Sequence, residues 1–497
     1  MEIDIVFDGV FIVKYNAKPS LFQPFKSYAV VPLPHKIKYG MSQTISSINP
    51  FNGKEIKKYN VDTKTIIKFK LENAHKAYEK WSNVSIRQRA AYLKGLGDYL
   101  QKHKKTMAEM ATLEMGKPYV QSITEIEKSA TTLHFYAEKG PQFLEREMVE
   151  TEAQKSFITF QPLGTVLAIM PWNFPYWQVF RALGPVLMAG NSMVLKHASN
   201  VTGCALAIEA AVREAGLPEH LFQTLVVPSS EMEDVISHRL INAVSFTGST
   251  SGGSKVAEMA GRHLKKQVLE LGGSDAYVIL NDADLNRAVE VCVTSRLNNS
   301  GQSCISAKRF IVDSNVKDTF QGQMVALMEQ RKFGDPMNTS TTVGPLARHD
   351  LRDQLHKQVM DSVSKGAKIL CGGFIPEEEG AFYPPTVLTN VKKGMPAYDE
   401  ELFGPVAAII EAKDEEDAIR LANDSIFGLG GAIFSRDIKK AEMIAEERLQ
   451  AGSVFVNDFV RSDARLPFGG IKQSGYGREL SYYGLREFVN IKTIFIR

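Results

Sequence analysis

The sequence predicts an α/β fold with two parallel-sheet layers, and three features of the chain support this. At 497 residues the chain is too long for one hydrophobic core, so two or three domains are expected. Between residues 164 and 271, short apolar segments alternate with amphipathic segments. A second alternation of this kind covers residues 274–468. Strands alternating with helices indicate parallel sheets that are covered on both faces.

The chain begins with a segment unlike the rest. Residues 1–40 mix prolines with apolar runs that are interrupted by charge, and they contain no secretory h-region, so we expect an extension with little structure. From residue 62 to 144 the pattern is helical, with Ser85 as a predicted N-cap and Gly116 as a predicted stop. These helices should cover a sheet, and no pattern in them indicates chemistry.

The first layer has its polar motifs in equivalent places. Strands are predicted at 166–170, 193–195, 225–227 and 243–246, and helices at 201–215, near 232 and around 256. Ligands of parallel sheets bind beyond the carboxyl ends of the strands. Asn173, Lys196, Gly248 and Glu270 each lie at or just after such an end, so the sequence predicts that they share one rim.

The second layer contains the residue with the clearest chemical potential. Its strands are predicted at 276–279, 310–312, 406–410, 431–434 and 454–456, with a helix at 285–297. Cys304 follows that helix on a Gly-containing bend, whereas a cysteine used only for packing usually lies within an apolar run. Composition alone leaves a buried structural thiol open. Because Asn173 belongs to the first layer, we expect a site in the cleft between two domains.

Composition excludes several classes of function. With 44% hydrophobic and 23% charged residues the chain has an ordinary globular composition, and a net charge of +3 without a basic stripe argues against nucleic acid. No apolar run is long enough for a membrane span. The four cysteines form neither a CxxC pair nor a cluster with histidine, which indicates a reducing compartment such as the cytoplasm and argues against a metal site.

Several motifs together resemble the aldehyde dehydrogenase superfamily, from about Ile45 to the C-terminus. Cys304 stands in a G-Q-x-C context, and Glu270 begins E-L-G-G. The likeness extends to 170–175, 194–199, 246–250, 401–405 and 467–470. It implies two Rossmann-like domains, one binding the cofactor (41–144 and 162–273) and one catalytic (274–470). It also implies a small β-sheet for oligomerisation (145–161 and 485–497), and hence a homodimer or homotetramer.

The resemblance also implies NADP or NAD as cofactor. The residues that it assigns to the cofactor site are Trp172, Lys196, Ser199, Gly248, Ser249, Leu271, Glu401 and Phe403. As a bare pattern the turn at Gly248 is weak, because no G-x-G-x-x-G is present. Many relatives that use NAD carry Glu where Ser199 stands, and an acidic group there would repel a 2′-phosphate. NADP should therefore be used at least as well as NAD.

The catalytic roles of Cys304, Asn173 and Glu270 follow from the steps that the oxidation of an aldehyde requires. Thiolate attack by Cys304 on an aldehyde forms a thiohemiacetal whose oxyanion can expel hydride, leaving a thioester. Asn173 and the Cys304 N–H would stabilise the oxyanion, and Glu270 would activate water for hydrolysis.

The substrate is predicted from fewer residues. Arg181 and Ser462 resemble the carboxylate-binding pair of succinate-semialdehyde dehydrogenases, and Arg465 could replace Arg296, which lies too far from Cys304 in sequence to match. An ω-carboxy aldehyde such as succinate semialdehyde is therefore expected. A dehydrogenase for general aliphatic aldehydes, a cysteine esterase without cofactor and a non-catalytic scaffold remain alternatives.

Overall fold

The computed structural model describes residues 43–497, so the predicted extension at 1–40 lies outside the described residues. In this part of the chain the strands are, in order, β1 (Thr44–Ile48), β2 (Glu55–Asn60), β3 (Glu147–Met148), β4 (Lys155–Pro162), β5 (Thr165–Met170), β6 (Ser192–His197), β7 (Phe222–Thr224), β8 (Ile241–Thr247), β9 (Lys266–Glu270), β10 (Ala276–Ile279), β11 (Arg309–Asp313), β12 (Lys368–Cys371), β13 (Thr386–Thr389), β14 (Val406–Ala412), β15 (Gly430–Phe434), β16 (Ser453–Val456), β17 (Gly475–Tyr476) and β18 (Val489–Ile496).

The α-helices of the same residues are α1 (Lys64–Trp81), α2 (Ile86–Met115), α3 (Tyr119–Phe143), α4 (Trp177–Ala189), α5 (Thr202–Glu214), α6 (Met232–Ser237), α7 (Thr250–Arg262), α8 (Leu285–Leu297), α9 (Lys317–Glu329), α10 (His349–Ser364), α11 (Pro396–Asp399), α12 (Glu415–Asn423), α13 (Ile438–Met443) and α14 (Ser481–Arg486). None of these helices is long and apolar enough to cross a bilayer.

Two largely parallel sheets form the centre of the fold, as predicted. One has the order β17-β9-β8-β5-β6-β7, and the other has the order β12-β13-β14-β11-β10-β15-β16. Strand β5 is buried along its whole length, as expected for a strand covered on both faces. Apolar side chains of α2 to α5 pack on one face of the first sheet, and those of α1, α6 and α7 pack on the other. The second sheet is covered in the same way, by α10, α12 and α13 on one face and by α8 and α9 on the other.

Local signals placed most element ends correctly. Ser85 accepts a hydrogen bond from the backbone N–H of Gln88 and completes a capping box at the start of α2. Gly116 ends that helix in the left-handed conformation, with φ of 77°. One predicted strand was wrong. The residues at 225–227 lie just after β7 (Phe222–Thr224), because the strand pairs with β6 only at Phe222 to Thr224.

A third sheet joins the two segments that the sequence assigned to oligomerisation. Strand β18 pairs antiparallel with β4 along eight residues, and β3 lies on the other side of β4. Within residues 43–497, β18 has no partner on its outer edge and exposes Ile491 and Phe495. The domain boundaries given above remain predictions. The change from the first to the second sheet falls between β9 and β10, although β17 returns to the first sheet.

Candidate active site

Cys304 lies on a loop between α8 and β11 whose backbone is unusual. Asn299, Ser300 and Gly301 all have positive φ, at 53°, 54° and 73°. Two consecutive non-glycine residues in this region carry strain that the surrounding structure has to compensate. A Cβ on Gly301 would lie 2.3 Å from the carbonyl oxygen of Gly404, so this position requires glycine. The loop is therefore fixed by its neighbours.

Lys308, a buried lysine that no sequence motif marks, is hydrogen-bonded to the backbone of this loop. Nζ of Lys308 donates hydrogen bonds to the carbonyl oxygens of Ser303 at 2.9 Å, Cys304 at 2.7 Å and Ser306 at 3.2 Å. Nζ also lies 3.5 Å from Oε1 of Glu401. Burial raises the pKa of the Cys304 thiol to about 12, and the positive charge of Lys308 is the largest influence in the opposite direction.

The two glycines that follow Leu271 have a packing function. A Cβ on Gly273 would lie 2.6 Å from the carbonyl oxygen of Cys304, and a Cβ on Gly272 would lie 2.6 Å from Oε2 of Glu401. The glycines thus allow the Cys304 loop and Glu401 to approach the end of β9.

Asn173 lies against the same loop. Its side-chain Nδ2 donates to the backbone carbonyl oxygen of Gln302 at 3.0 Å, and the backbone carbonyl oxygen of Asn173 accepts from Nδ2 of Asn299 at 2.6 Å. Two chain segments more than 100 residues apart are thereby joined. The amide nitrogen of Asn173 has a second N–H, which is consistent with the predicted donor to an oxyanion.

Glu270 ends β9 and is buried. Burial is the main cause that raises its pKa well above the ordinary value, and the Glu479 carboxylate adds to the effect, while Arg181 opposes it. Neither of its carboxyl oxygens has a hydrogen-bond partner within residues 43–497. Burial without a hydrogen-bond partner favours the protonated form of this carboxyl and makes its carboxylate a stronger base than an exposed one.

Two cavities meet at Cys304. The first has a volume of about 250 Å³, and Phe174, Trp177 and Phe468 form aromatic parts of its wall. The second has a volume of about 380 Å³ and includes Asn173. Cys304 and Gln178 contribute to both walls. A thiol at such a junction can react with a molecule in one cavity while a second molecule occupies the other.

Most of the predicted cofactor residues line the second cavity: Trp172, Gly248, Ser249, Leu271, Glu401 and Phe403. The rings of Trp172 and Phe403 pack edge to face, with 5.7 Å between their centroids. The side chain of Ser249 caps the start of α7 by accepting a hydrogen bond from the N–H of Gly252. The free N–H groups of that helix end suit a phosphate. An apolar wall with a few polar groups and a helix start fits a dinucleotide.

Lys196 and Ser199 are absent from the wall of that cavity and lie at the neighbouring strand end. Lys196 belongs to β6, is buried, and its Nζ lies 3.5 Å from Oγ of Ser229. Ser199 is exposed in the short turn before α5. Since β5 pairs with both β6 and β8, their carboxyl ends share the edge of the sheet on which Gly248 lies.

His197, the last residue of β6, supports the Asn173 segment. Nε2 lies 2.8 Å from the carbonyl oxygen of Pro175, and Nδ1 lies 3.1 Å from that of Met170 and 2.9 Å from the backbone nitrogen of Ala198. The ring thereby connects the end of β5 with the segment that follows Asn173. Burial lowers the pKa of His197 to about 4, so the ring is neutral.

Of the three predicted substrate residues, Arg181 and Ser462 line the first cavity and Arg465 does not. Arg465 is exposed and forms a two-point ion pair with Asp463, so its charge is already neutralised at the surface. Arg181 is buried against Glu479 in an ion pair and also donates to Oγ1 of Thr247 at 3.3 Å.

Arg296 donates to the carbonyl oxygens of Ala307 and Gly301, so it supports the Cys304 loop.

The first helices, in which no sequence pattern indicates chemistry, contribute to the first cavity. One face of α3 forms a wall of the first cavity through Gln121, Thr124, Glu125 and Lys128, at the i, i+3, i+4 and i+7 spacing of a single helix face. Lys117, just before α3, adds a second lysine and forms a buried ion pair with Glu125. The helical spacing was visible in the sequence, but the surface that this face meets was not.

The fold and the site together define an enzyme of the aldehyde dehydrogenase type: two nucleotide-fold sheets, and a thiol between two cavities beside an amide and a buried carboxyl. Comparison of the sequence with family models confirms this class. The chain belongs to the Aldehyde dehydrogenase family, whose model matches residues 38–494.

Individual relatives are similar along nearly their whole length. A succinate semialdehyde dehydrogenase [NAD(P)+] of Escherichia coli K12 is 45% identical over 449 residues, which are 90% of this chain and 97% of that protein. A succinate-semialdehyde dehydrogenase [NADP(+)] of Mycobacterium tuberculosis is 42% identical over 455 residues, 91% of this chain and 99% of that protein. The crystal structure of succinic semialdehyde dehydrogenase from Streptococcus pyogenes in complex with NADP+ superposes with a TM-score of 0.89, at 38% identity, covering 91% of this chain and 99% of that one.

Proposed function

We propose that this protein oxidises an ω-carboxy aldehyde, succinate semialdehyde first among them, to the acid, with NADP or NAD as hydride acceptor. The observation that carries the proposal is the meeting of the two cavities at Cys304. One wall holds the predicted cofactor residues, and the other has cationic side chains suited to a carboxylate. The names of the relatives from Escherichia coli and Mycobacterium tuberculosis support the same substrate.

The residues of the chain divide the reaction between them. The Cys304 thiolate attacks the aldehyde carbon and forms a C–S bond, and the resulting oxyanion is stabilised by the Cys304 N–H and by Asn173. A nicotinamide cofactor held by the residues of the second cavity, Trp172, Glu401 and Phe403 among them, would supply the acceptor for the hydride that this tetrahedral centre has to lose. Water then attacks the Cys304 thioester while Glu270 takes a proton from that water. The C–S bond breaks, the acid is released and the Cys304 thiolate is restored.

We further propose that NADP is used at least as well as NAD. Lys196 supplies a positive charge at the end of β6, and the small neutral Ser199 occupies the place where a carboxylate would repel a 2′-phosphate. The bound NADP+ of the Streptococcus pyogenes relative supports this choice.

We propose homo-oligomerisation through the third sheet and residence in the cytoplasm. The outer edge of β18, with exposed Ile491 and Phe495, is suited to pair with a strand of another chain. The four free cysteines agree with a reducing compartment. Light scattering tests the assembly, and a strict monomer would contradict it.

The decisive experiment combines mass spectrometry and kinetics. During turnover of succinate semialdehyde with NADP, rapid-quench digestion should find a succinyl adduct on the Cys304 peptide, and Cys304→Ala should abolish NADPH formation. A protein that keeps its full rate without Cys304, or that never carries the adduct, would overturn the proposal. Aldehyde-independent ester hydrolysis at Cys304, with no NADPH formed, would favour the esterase instead.

A further inference from the structure

The first cavity has four cationic side chains in its wall, and three of them have carboxylate partners. Lys117 pairs with Glu125, Arg181 with Glu479, and Arg461 with Asp458 at 2.7 Å. The fourth is Lys128, which forms no ion pair in the part of the chain that the structure describes. Four positive charges against three matched carboxylates leave one positive charge in the cavity.

Lys128 is held in position by neutral groups. It lies on α3, is partly buried, and its Nζ donates to Oγ of Ser462 at 2.7 Å while lying 4.2 Å from the centre of the Trp177 ring. An ammonium in this setting has lost much of its hydration without gaining an anion, which is costly unless a ligand supplies one. The hydroxyl of Ser462 and the face of Trp177 orient the ammonium in the cavity wall.

We propose that Lys128, together with the Oγ of Ser462, anchors the distal carboxylate of the substrate and so sets the preference for an ω-carboxy aldehyde. This inference rests on the proposed function and gives Lys128 the role for which Arg181 and Arg465 were the sequence candidates. The charge of Arg181 is already met by Glu479, and Arg465 is absent from the cavity wall. Lys128 positions the substrate and takes no part in bond making.

The proposal predicts a dependence on pH that separates Lys128 from Cys304. Burial lowers the pKa of Lys128 to about 8, Arg181 and Arg461 lower it further, and Asp463 and Glu125 act in the opposite direction. Above this pH the ammonium loses its proton and its charge. The ratio of kcat/KM for succinate semialdehyde to that for butanal should therefore fall as pH rises through about 8. Thiolate formation at Cys304 affects both aldehydes and cancels in the ratio.

The variant test compares Lys128→Met with Lys139→Met, a control that removes an exposed lysine from the same helix. Loss of a charge-assisted hydrogen bond should lower kcat/KM for succinate semialdehyde about 10- to 100-fold. The value for butanal should change by less than about 3-fold, because no charge on this aldehyde meets Lys128. Lys128→Arg should recover part of the preference, and the pH dependence of the ratio should disappear in Lys128→Met.

The outcomes distinguish the two proposals. A wild-type protein without preference for succinate semialdehyde over butanal would refute the substrate proposed above. A wild-type preference that survives unchanged in Lys128→Met would refute the role of Lys128 and leave the substrate standing. Should the variant fail to fold, the wild-type pH ratio decides, and a ratio that is flat from pH 7 to pH 9.5 overturns the inference, because this range brackets the Lys128 pKa of about 8.

Discussion

Nζ of Lys308 lies 2.7 Å from the carbonyl oxygen of Cys304 and 3.5 Å from Oε1 of Glu401. One buried cation thereby connects the Cys304 loop with a carboxylate in the wall of the second cavity. Glu401 also accepts from the N–H of Gly273 at 3.1 Å, so the end of β9 belongs to the same network. The thiol, the strand end and the cavity wall are fixed relative to each other by these contacts.

Replacing Lys308 by Met should destabilise the protein and slow the reaction of the Cys304 thiol with an alkylating agent. The change leaves Glu401 and three carbonyl oxygens without their buried cation. The free energy of unfolding, measured by urea denaturation, should therefore fall by about 3 to 5 kcal/mol. The pKa of Cys304 should rise further, because Lys308 is the charge that lowers it most. Alkylation by iodoacetamide at pH 8 should then slow at least about 10-fold, one pKa unit of thiolate. Lys393→Met, at an exposed site, is the control and should change neither quantity.

Replacing Glu270 by Gln should stop the reaction after the first turnover. Attack and hydride loss do not need the carboxylate, whereas hydrolysis does, so a burst of NADPH should persist and the steady rate should fall about 100- to 10,000-fold. Rapid-mixing absorbance measures both phases. A steady rate equal to that of the wild type would remove Glu270 from the mechanism.

The pH dependence of the free energy of unfolding of Glu270→Gln tests the burial of this carboxyl. The pKa of Glu270 is raised in the folded protein, so the folded state holds the proton more tightly than the unfolded one. The favourable contribution is complete below the unfolded pKa of about 4.3 and is lost as pH rises toward the folded pKa. Gln mimics the protonated form and has no such loss. Glu270→Gln should therefore be more stable than the wild type at pH 8 in urea unfolding, and equal stability at this pH would contradict the burial effect.

Replacing Arg181 by Met should affect both charged and neutral aldehydes. The change leaves Glu479 buried without its partner and removes the positive charge that favours ionised Glu270, so stability should fall by about 3 to 5 kcal/mol. Adding Glu479→Gln should recover part of the loss, as measured by a double-mutant cycle. A selective rise in KM for succinate semialdehyde at unchanged stability would instead make Arg181 the carboxylate anchor.

Replacing Ser199 by Glu should change the preference for cofactor. A carboxylate at the end of β6 would repel a 2′-phosphate, so kcat/KM for NADP should fall at least about 10-fold while that for NAD changes little. Initial rates at saturating aldehyde measure both. Ser229→Ala, which removes the hydroxyl near Lys196, is a matched control without added charge. A wild type that strongly prefers NAD would contradict the argument from Ser199.

Much of the fold follows from local patterns in this sequence. Helix α8 was predicted at its observed bounds, because the apolar spacing runs unbroken from Leu285 to Leu297. Strand β7 was misplaced by three residues, since the apolar residues at 225–227 continue past the last pair with β6. The sheet that joins β4 and β18 was expected only from the family resemblance, since its two segments lie more than 300 residues apart in the chain.

The site was predictable only where a motif marks it. Cys304, Glu270 and Asn173 stand in recognisable contexts, and the structure places Cys304 and Asn173 together at the wall of one cavity. Lys128 and Lys308 have no such context. Nothing local to a lysine in a helical segment shows which cavity it faces, or whether a carboxylate neutralises it.

The sequence by itself predicted the two layers, placed the motifs at strand ends and marked Cys304 as the candidate nucleophile, because these depend on periodicity and on residue type. Only the tertiary structure decided which charges are matched. Arg181 and Arg465 are neutralised by Glu479 and Asp463, while Lys128 has no ion-pair partner among residues 43–497. Ion pairing depends on distances of a few ångströms between residues far apart in the chain, and such distances are set when α3 and the two sheets pack together.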